Sequence, residues 1–253
     1  MTTPVATTVG EARPPSSVLA ARYRASLLGE PGGLLLLLLQ APLIGWLCAI
    51  VWGSIERDTP ALYFVLCLTA VWFGCINACR EIVKERAIFE RERLFGVRPR
   101  DYVVSKARVL AGLGAVQVVL LQGTVEWTLS LRGPMPLELL ALFGASLAGT
   151  GLGLLVSALA STQERAVFAV PLLLLPQILF SELAIPDTLY SDVVAAVEKV
   201  MPVHWAFRVF EESTALEPRW HVVAFALLVL FAMSAFLLAA ATLATVPKRE
   251  VVT

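Results

Sequence analysis

Residues 32–52, 61–79, 139–160 and 222–246 run without a single formally charged side chain. A helix crossing the hydrocarbon core of a bilayer needs about 20 mostly apolar residues, because roughly 30 Å is covered at 1.5 Å per residue. Inside lipid every backbone N–H and C=O must be satisfied within the chain, so apolar runs of this length are read as helices. Residues 109–131 add a span with one ionisable group, Glu126, and residues 166–183 add one interrupted by Pro171 and Pro176. An interior proline removes a backbone hydrogen bond and crowds the previous turn, so this last span is expected to kink. The reading is an all-α membrane protein, a single domain of residues 16–250 with six transmembrane helices. Composition agrees: 58% of the 253 residues are hydrophobic and 16% charged, against about 45–50% and 25% in soluble domains.

Net charge is zero, so only the placement of charge informs. With the N-terminus inside, the N-terminal segment, the loop between the second and third spans, the STQER loop and the KRE tail hold 15 of the 20 basic residues. The outer loops then keep Arg57, Arg132, Lys199, Arg208 and Arg219. By the positive-inside rule this places both termini in the cytoplasm and the protein in the inner or plasma membrane as a multi-pass chain. Residues 1–31 lack the short apolar core and small-residue site of a cleaved signal. Residues 1–15 are expected to be a disordered tail. Residues 16–28 read either as a short surface helix with Arg22 and Arg24 near lipid headgroups or as more of that tail. In the last outer loop, residues 191–200 and 203–213 read as short interfacial or re-entrant helices. Val203, Ala206, Phe207 and Phe210 share one face of the second, and His204, Arg208 and Glu211 the other.

Several chemistries find little support. Cys48, Cys67, Cys75 and Cys79 sit inside apolar runs, and no further ligands are spaced to complete a metal site around Cys75 and Cys79. GASLAGTGLG does not match a dinucleotide fingerprint in register and follows no strand, whereas its small pairs Gly144/Ala148 and Gly149/Gly153 let helix backbones approach closely. His204 and His221 lie in or beside the outer loop without a partner for hydrolytic work, so no catalytic residue is expected. No nucleic-acid partner is expected either.

Charge is concentrated in residues 80–106, REIVKERAIFERERLFGVRPRDYVVSK, with eight basic and five acidic side chains. Wound as one helix over residues 80–96, it sorts them into stripes. Glu81, Glu85 and Glu92 fall on a line, Lys84 and Arg91 flank it on one side, Arg86 and Arg93 on the other, and Val83, Ala87 and Leu94 lie opposite. This is either a docking surface for a partner or a solvated helix whose charge pairs are worth about 0.2–0.5 kcal/mol each. Topology needs only Lys and Arg, so orientation leaves three aligned carboxylates unexplained.

NACREIVKERAIFERERLFGVRPRDYVVSK resembles the stretch after the second transmembrane helix of G-subfamily ATP-binding cassette transporters, the white and pleiotropic-drug-resistance group with the type-2 exporter fold. MPVHWAFRVF before the last helix and the six-span layout extend the resemblance over most of residues 16–250. The resemblance implies a permease that moves a lipid-like or amphipathic substrate outward by alternating access. It implies that the charged helix meets the ATPase through Glu81, Glu85, Arg86, Glu92 and Arg93, with Arg98, Arg100, Asp101 and Tyr102 of FGVRPRDY in the coupling turn. It also implies a substrate path near Phe73, Asn77, Pro176 and Phe180 and an outer gate at Leu183, with Ala184 where the family carries a second leucine. The 253 residues hold no GxxxxGK[ST] loop. The resemblance therefore implies ATP and Mg on a separate ABC ATPase subunit, no cofactor on this chain, and a second copy or paralogous permease in the assembly. The alternative is an ion-coupled secondary transporter using Glu126, which lies about five residues from the outer end of its span.

Overall fold

A computed structural model describes residues 15–54, 59–129, 131–185 and 191–246. The tail ahead of Pro15, Arg57 and the KRE segment lie outside them. The described chain is helical throughout, in the order α1 (Pro15–Leu28), α2 (Pro31–Trp52), α3 (Pro60–Ala78), a 3-10 turn (Val83–Glu85), α4 (Arg86–Leu94), α5 (Pro99–Leu129), α6 (Met135–Leu159), α7 (Gln163–Leu179), α8 (Asp192–Glu198), α9 (Pro202–Thr214) and α10 (Trp220–Ala244). Prolines open α2, α3 and α9, where their fixed φ suits the first turn and their missing N–H is not needed.

The helices carrying α2, α3, α5, α6 and α10 are long and apolar enough to cross a membrane. Expected as a sixth span, α7 has 17 residues, about 25 Å, with Pro171 and Pro176 inside it. At 31 residues, about 46 Å, α5 exceeds the hydrocarbon thickness. One end must therefore stand clear of it, and the charged N-terminal turns from Pro99 to Arg108 are the end suited to water.

The hub is α6, and its glycines explain why. Gly149 and Gly153 lie on one face and Gly144 and Gly151 on the opposite one, by the 100° step of the helix. On the first face, a Cβ at Gly153 would fall 2.6 Å from the Cys75 carbonyl oxygen, and one at Gly149 would strike the Val71 backbone. On the second, Cβ atoms at Gly144 and Gly151 would each fall 2.7 Å from α10, at Leu230 and Leu237. Missing side chains thus let α6 lie backbone-close between α3 and α10, as the small-residue pattern predicts.

On one end of the bundle α9 buries its apolar face against α3, α6 and α10, with Phe207 edge-on to Phe64 and Phe210 beside Tyr63. That face is the expected one: Val203, Ala206, Phe207 and Phe210 are all buried. At the other end a second apolar cluster gathers Tyr23, Ile82, Phe89, Tyr102, Val103 and Leu154 beneath the charged segment.

Candidate functional site

Residues 80–96 do not form one helix. After α3 ends at Ala78 the backbone passes through turns and a 3-10 segment before α4 begins at Arg86. The break is stabilised from α6: the Ser157 hydroxyl accepts the Ile82 and Val83 N–H groups at 2.9 and 3.0 Å. Beside it, Arg86 donates to the carbonyls of Ala158 and Ala160 at 2.9 and 2.8 Å, capping the C-terminus of α6 where the helix dipole is negative. The buried apolar anchor also differs from the expected Val83, Ala87 and Leu94. It is Ile82 and Phe89, the latter stacked on Tyr102 with ring centroids 4.3 Å apart.

The three aligned carboxylates turn toward the chain itself. Glu81 takes Lys84 at 2.6 Å and stands 3.5 Å from Lys106, Glu85 takes Lys106 at 2.7 Å, and Glu92 holds both guanidinium nitrogens of Arg22 on α1. Lys106 is 1% exposed, its ammonium 4.0 Å from the Tyr23 ring centre, and the Tyr102 hydroxyl donates to Glu85 at 3.4 Å. Burying an ammonium costs several kcal/mol unless it is paired; two carboxylates and an aromatic face supply that here. Glu92 raises the Arg22 pKa further, and burial, then Glu81, pushes the Tyr23 hydroxyl far above the phenol range, so both keep their protons. The result is an ionic knot that ties α1, the 80–94 segment and α5 into one unit.

What this segment offers outward is its tip. Gly96 takes φ +92°, which a glycine adopts without strain, and closes the turn between α4 and α5. On that turn Leu94 is 82% and Phe95 90% exposed, with Arg91, Arg98 and Arg100 exposed around them and Arg93 and Asp101 half-buried.

An apolar groove of about 320 Å³ runs between α2, α3 and α7, lined by Ile44, Leu68, Thr69, Trp72, Pro171 and Leu174 among others. Of the expected path residues, Phe73 is fully buried in the core, and Asn77 donates to Gln117 at 2.6 Å, which in turn donates to the Leu37 carbonyl at 2.7 Å. Trp72 and Thr69 hold the groove-facing positions. Pro176 and Phe180 are half-buried near the end of α7, followed by the exposed Leu183 and Ala184. Their turn is fixed from α8: Glu198 accepts the Glu182 N–H at 3.1 Å and lies 3.4 Å from the His204 imidazole. Glu126 accepts the Leu131 N–H at 3.2 Å and so serves the turn after α5.

Sequence reasoning misses the buried partners. Lys106 and Ser157 act on residues 20 or more positions away, which no local periodicity signals. Glu138, fully buried in the first turn of α6 and bonded to Gln122, lies one residue outside the span drawn from hydropathy. A carboxylate there is favoured by the N-terminal dipole of α6. All four cysteines are free and buried, and among the described residues no cluster of three metal-ligating side chains occurs.

Residues 17–214 match the family model described as ABC-2 type transporter. Over 164 residues, 61% of this chain, the sequence is 27% identical to an ABC transporter ATP-binding/permease protein of Mycobacterium tuberculosis. The matched part is 19% of that relative's length.

Proposed function

From the premise that this chain belongs to the ABC-2 type transporter family, we propose that it is the permease of an ATP-driven exporter. On this reading ATP hydrolysis falls to an ABC ATPase outside these 253 residues, which hold no phosphate-binding loop. The observation that carries the coupling part is the tip after α4. Two bare apolar side chains, Leu94 and Phe95, ringed by arginines, stand on a turn that is joined rigidly to the bundle by the ionic knot. A surface of this kind suits a protein partner, because aromatic and Arg anchors dominate interface energetics. Glu81, Glu85, Arg86, Glu92 and Tyr102 then transmit force within the permease, while Arg98, Arg100 and Phe95 meet the ATPase.

The substrate is lipid-like or amphipathic and moves along the α2–α3–α7 groove, whose wall is apolar apart from Thr69 and the Trp72 indole N–H. A second copy or paralogous permease faces the same groove and completes the path. Phe73 and Asn77 share α3 with the groove's Trp72, Pro176 shares α7 with its Leu174, and Phe180, Leu183 and Ala184 follow α7 in the chain toward the outer gate of this reading. Alternating access then consists of opening this path first inward and then outward. Both termini lie in the cytoplasm and the chain in the inner or plasma membrane.

The test is reconstitution of the permease with its co-purifying ATPase in liposomes. Phe95→Asp is expected to abolish ATP-dependent transport of an amphipathic fluorescent substrate while leaving the permease folded. Transport by the chain alone on a proton gradient, lost in Glu126→Gln, would replace this reading with the ion-coupled one.

A further inference from the structure

A second groove, separate from the transport path, lies between α1, α2 and α5 and has a volume of about 610 Å³. Arg24 and Arg108 both line it, as do Leu34, Leu38, Gly112 and Val116, and among the described residues no carboxylate does. Arg22 and Arg24 point to different sides of α1, as two residues at 100° each require. Arg22 is held by Glu92, whereas Arg24 makes no ion pair among the described residues, and Arg108 donates only a 3.3 Å hydrogen bond to the Ser16 hydroxyl. Two cations thus share one groove with their charge uncompensated. Along α5, the eight residues from Arg108 to Val116 cover about 12 Å, so that wall runs from a cation to an apolar end, while Arg24 stands on α1 about 12 Å from the Ser16 that Arg108 touches. Gly112 keeps its floor open: a Cβ there meets nothing within 4 Å.

We propose that this groove binds one anionic phospholipid, its phosphate between Arg24 and Arg108 and an acyl chain along Leu34, Leu38, Gly112 and Val116. A free phosphate finds no use for the apolar wall, and a zwitterionic lipid brings a cation beside its phosphate, so it leaves the net charge of the guanidinium pair unneutralised; an anionic amphiphile satisfies both. The position suits such a ligand, because Arg108 stands at the point where α5 leaves its charged turns for its apolar span. The site does not depend on the transport reading: a lipid held here packs α1 against the bundle whatever the chain moves.

Native mass spectrometry of the full chain in a nonionic detergent tests it, with palmitoyl-oleoyl phosphatidylglycerol, the phosphatidylcholine of the same chains, and inorganic phosphate as probes. One phosphatidylglycerol per chain is expected to be retained in preference to phosphatidylcholine. Arg24→Gln and Arg108→Gln should each weaken phosphatidylglycerol binding about fivefold, the effect of one cation at an anionic surface, with little change for phosphatidylcholine. Gly112→Leu, which keeps both charges and fills the floor, should weaken both lipids, and it decides the matter if the arginine variants do not fold. Equal retention of the two lipids, wild-type phosphatidylglycerol affinity in the double glutamine variant or in Gly112→Leu, or displacement by equimolar inorganic phosphate would each overturn the proposal.

Discussion

Removing the Lys106 ammonium strands Glu81 and Glu85 together, leaving Lys84 for Glu81 and the 3.4 Å hydrogen bond from the Tyr102 hydroxyl for Glu85. Breaking a buried pair by deleting one partner costs about 3–5 kcal/mol, because the remaining charge stays desolvated. Lys106→Met is therefore expected to lower the thermal unfolding temperature in detergent markedly. Adding Glu85→Gln to that variant should restore part of the loss, an outcome that simple cavity formation at Lys106 does not produce. His204 makes a second case on the opposite end of the bundle. Burial outweighs the pull of Glu198 and, with Arg208 and Lys199, holds the imidazole below its ordinary value of 6.5. As pH falls, the unfolded chain takes up that proton before the folded one does. The stabilisation is thus complete above 6.5 and is lost as pH drops through the lower folded value. Glu182 works the other way, its pKa raised by burial, Glu211 and Glu198. Its contribution is complete below 4.5 and fades as pH rises through the folded value. Melting curves from pH 8 to pH 5 for the wild type and His204→Gln cancel the Glu182 effect, and the wild type should lose more stability across that range.

Between elements, one hydroxyl on α6 carries the join to the charged segment. Ser157→Ala leaves the Ile82 and Val83 N–H groups without their acceptor, which costs about 1–3 kcal/mol for a buried donor. Hydrogen exchange at residues 80–86 should quicken while α2 and α10 stay protected. The glycine faces of α6 give a sharper contrast. Gly149→Val drives a side chain into the Val71 backbone and should prevent recovery of monodisperse protein, since neither helix can yield without parting. Gly123→Ala on α5, where a Cβ meets nothing within 4 Å, should stabilise by about 1 kcal/mol through helix propensity. That α6 packs closely was legible in GASLAGTGLG, because small residues at helical spacing act through their own backbone. The stripe of Glu81, Glu85 and Glu92, drawn on one continuous helix, is interrupted by the break before Arg86, and the direction of these carboxylates was not legible either. Carboxylates on one face look the same in sequence whether they await a partner or meet Lys106 and Arg22, and those partners become neighbours only once α1 and α5 are packed. The helix break at residues 79–85 was hidden for the same reason: its acceptor, Ser157, comes from 74 or more positions along the chain.

For the molecule as a whole, α6 sets a polarity. Because Gly149 and Gly153 face α3 while Gly144 and Gly151 face α10, these two neighbours lie on opposite sides of the hub. The apolar groove belongs to the α3 side, together with α2 and α7, whose outward leucines include Leu39, Leu43, Leu175 and Leu179. If a second copy completes the substrate path, it must sit on this side, leaving the outer face of α10 to lipid. The native cysteines are free and buried, so a cysteine added at the surface reports on that site alone. Leu175→Cys on α7 is expected to form a disulfide-linked dimer in native membranes under mild oxidation. Phe236→Cys on α10, more accessible at 72% exposure than Leu175 at 49%, is expected to stay monomeric. The contrast rests on proximity and not on reactivity, which labelling of both variants with a small maleimide in detergent would equalise. Cross-linking at residue 236 with none at 175 would place the partner on the wrong side of α6 and detach the groove from any shared path. Cross-linking at residue 175 would join the groove, the proline-bearing α7 and the partner copy at a single interface, where a shift of α7 alters the path from both halves at once.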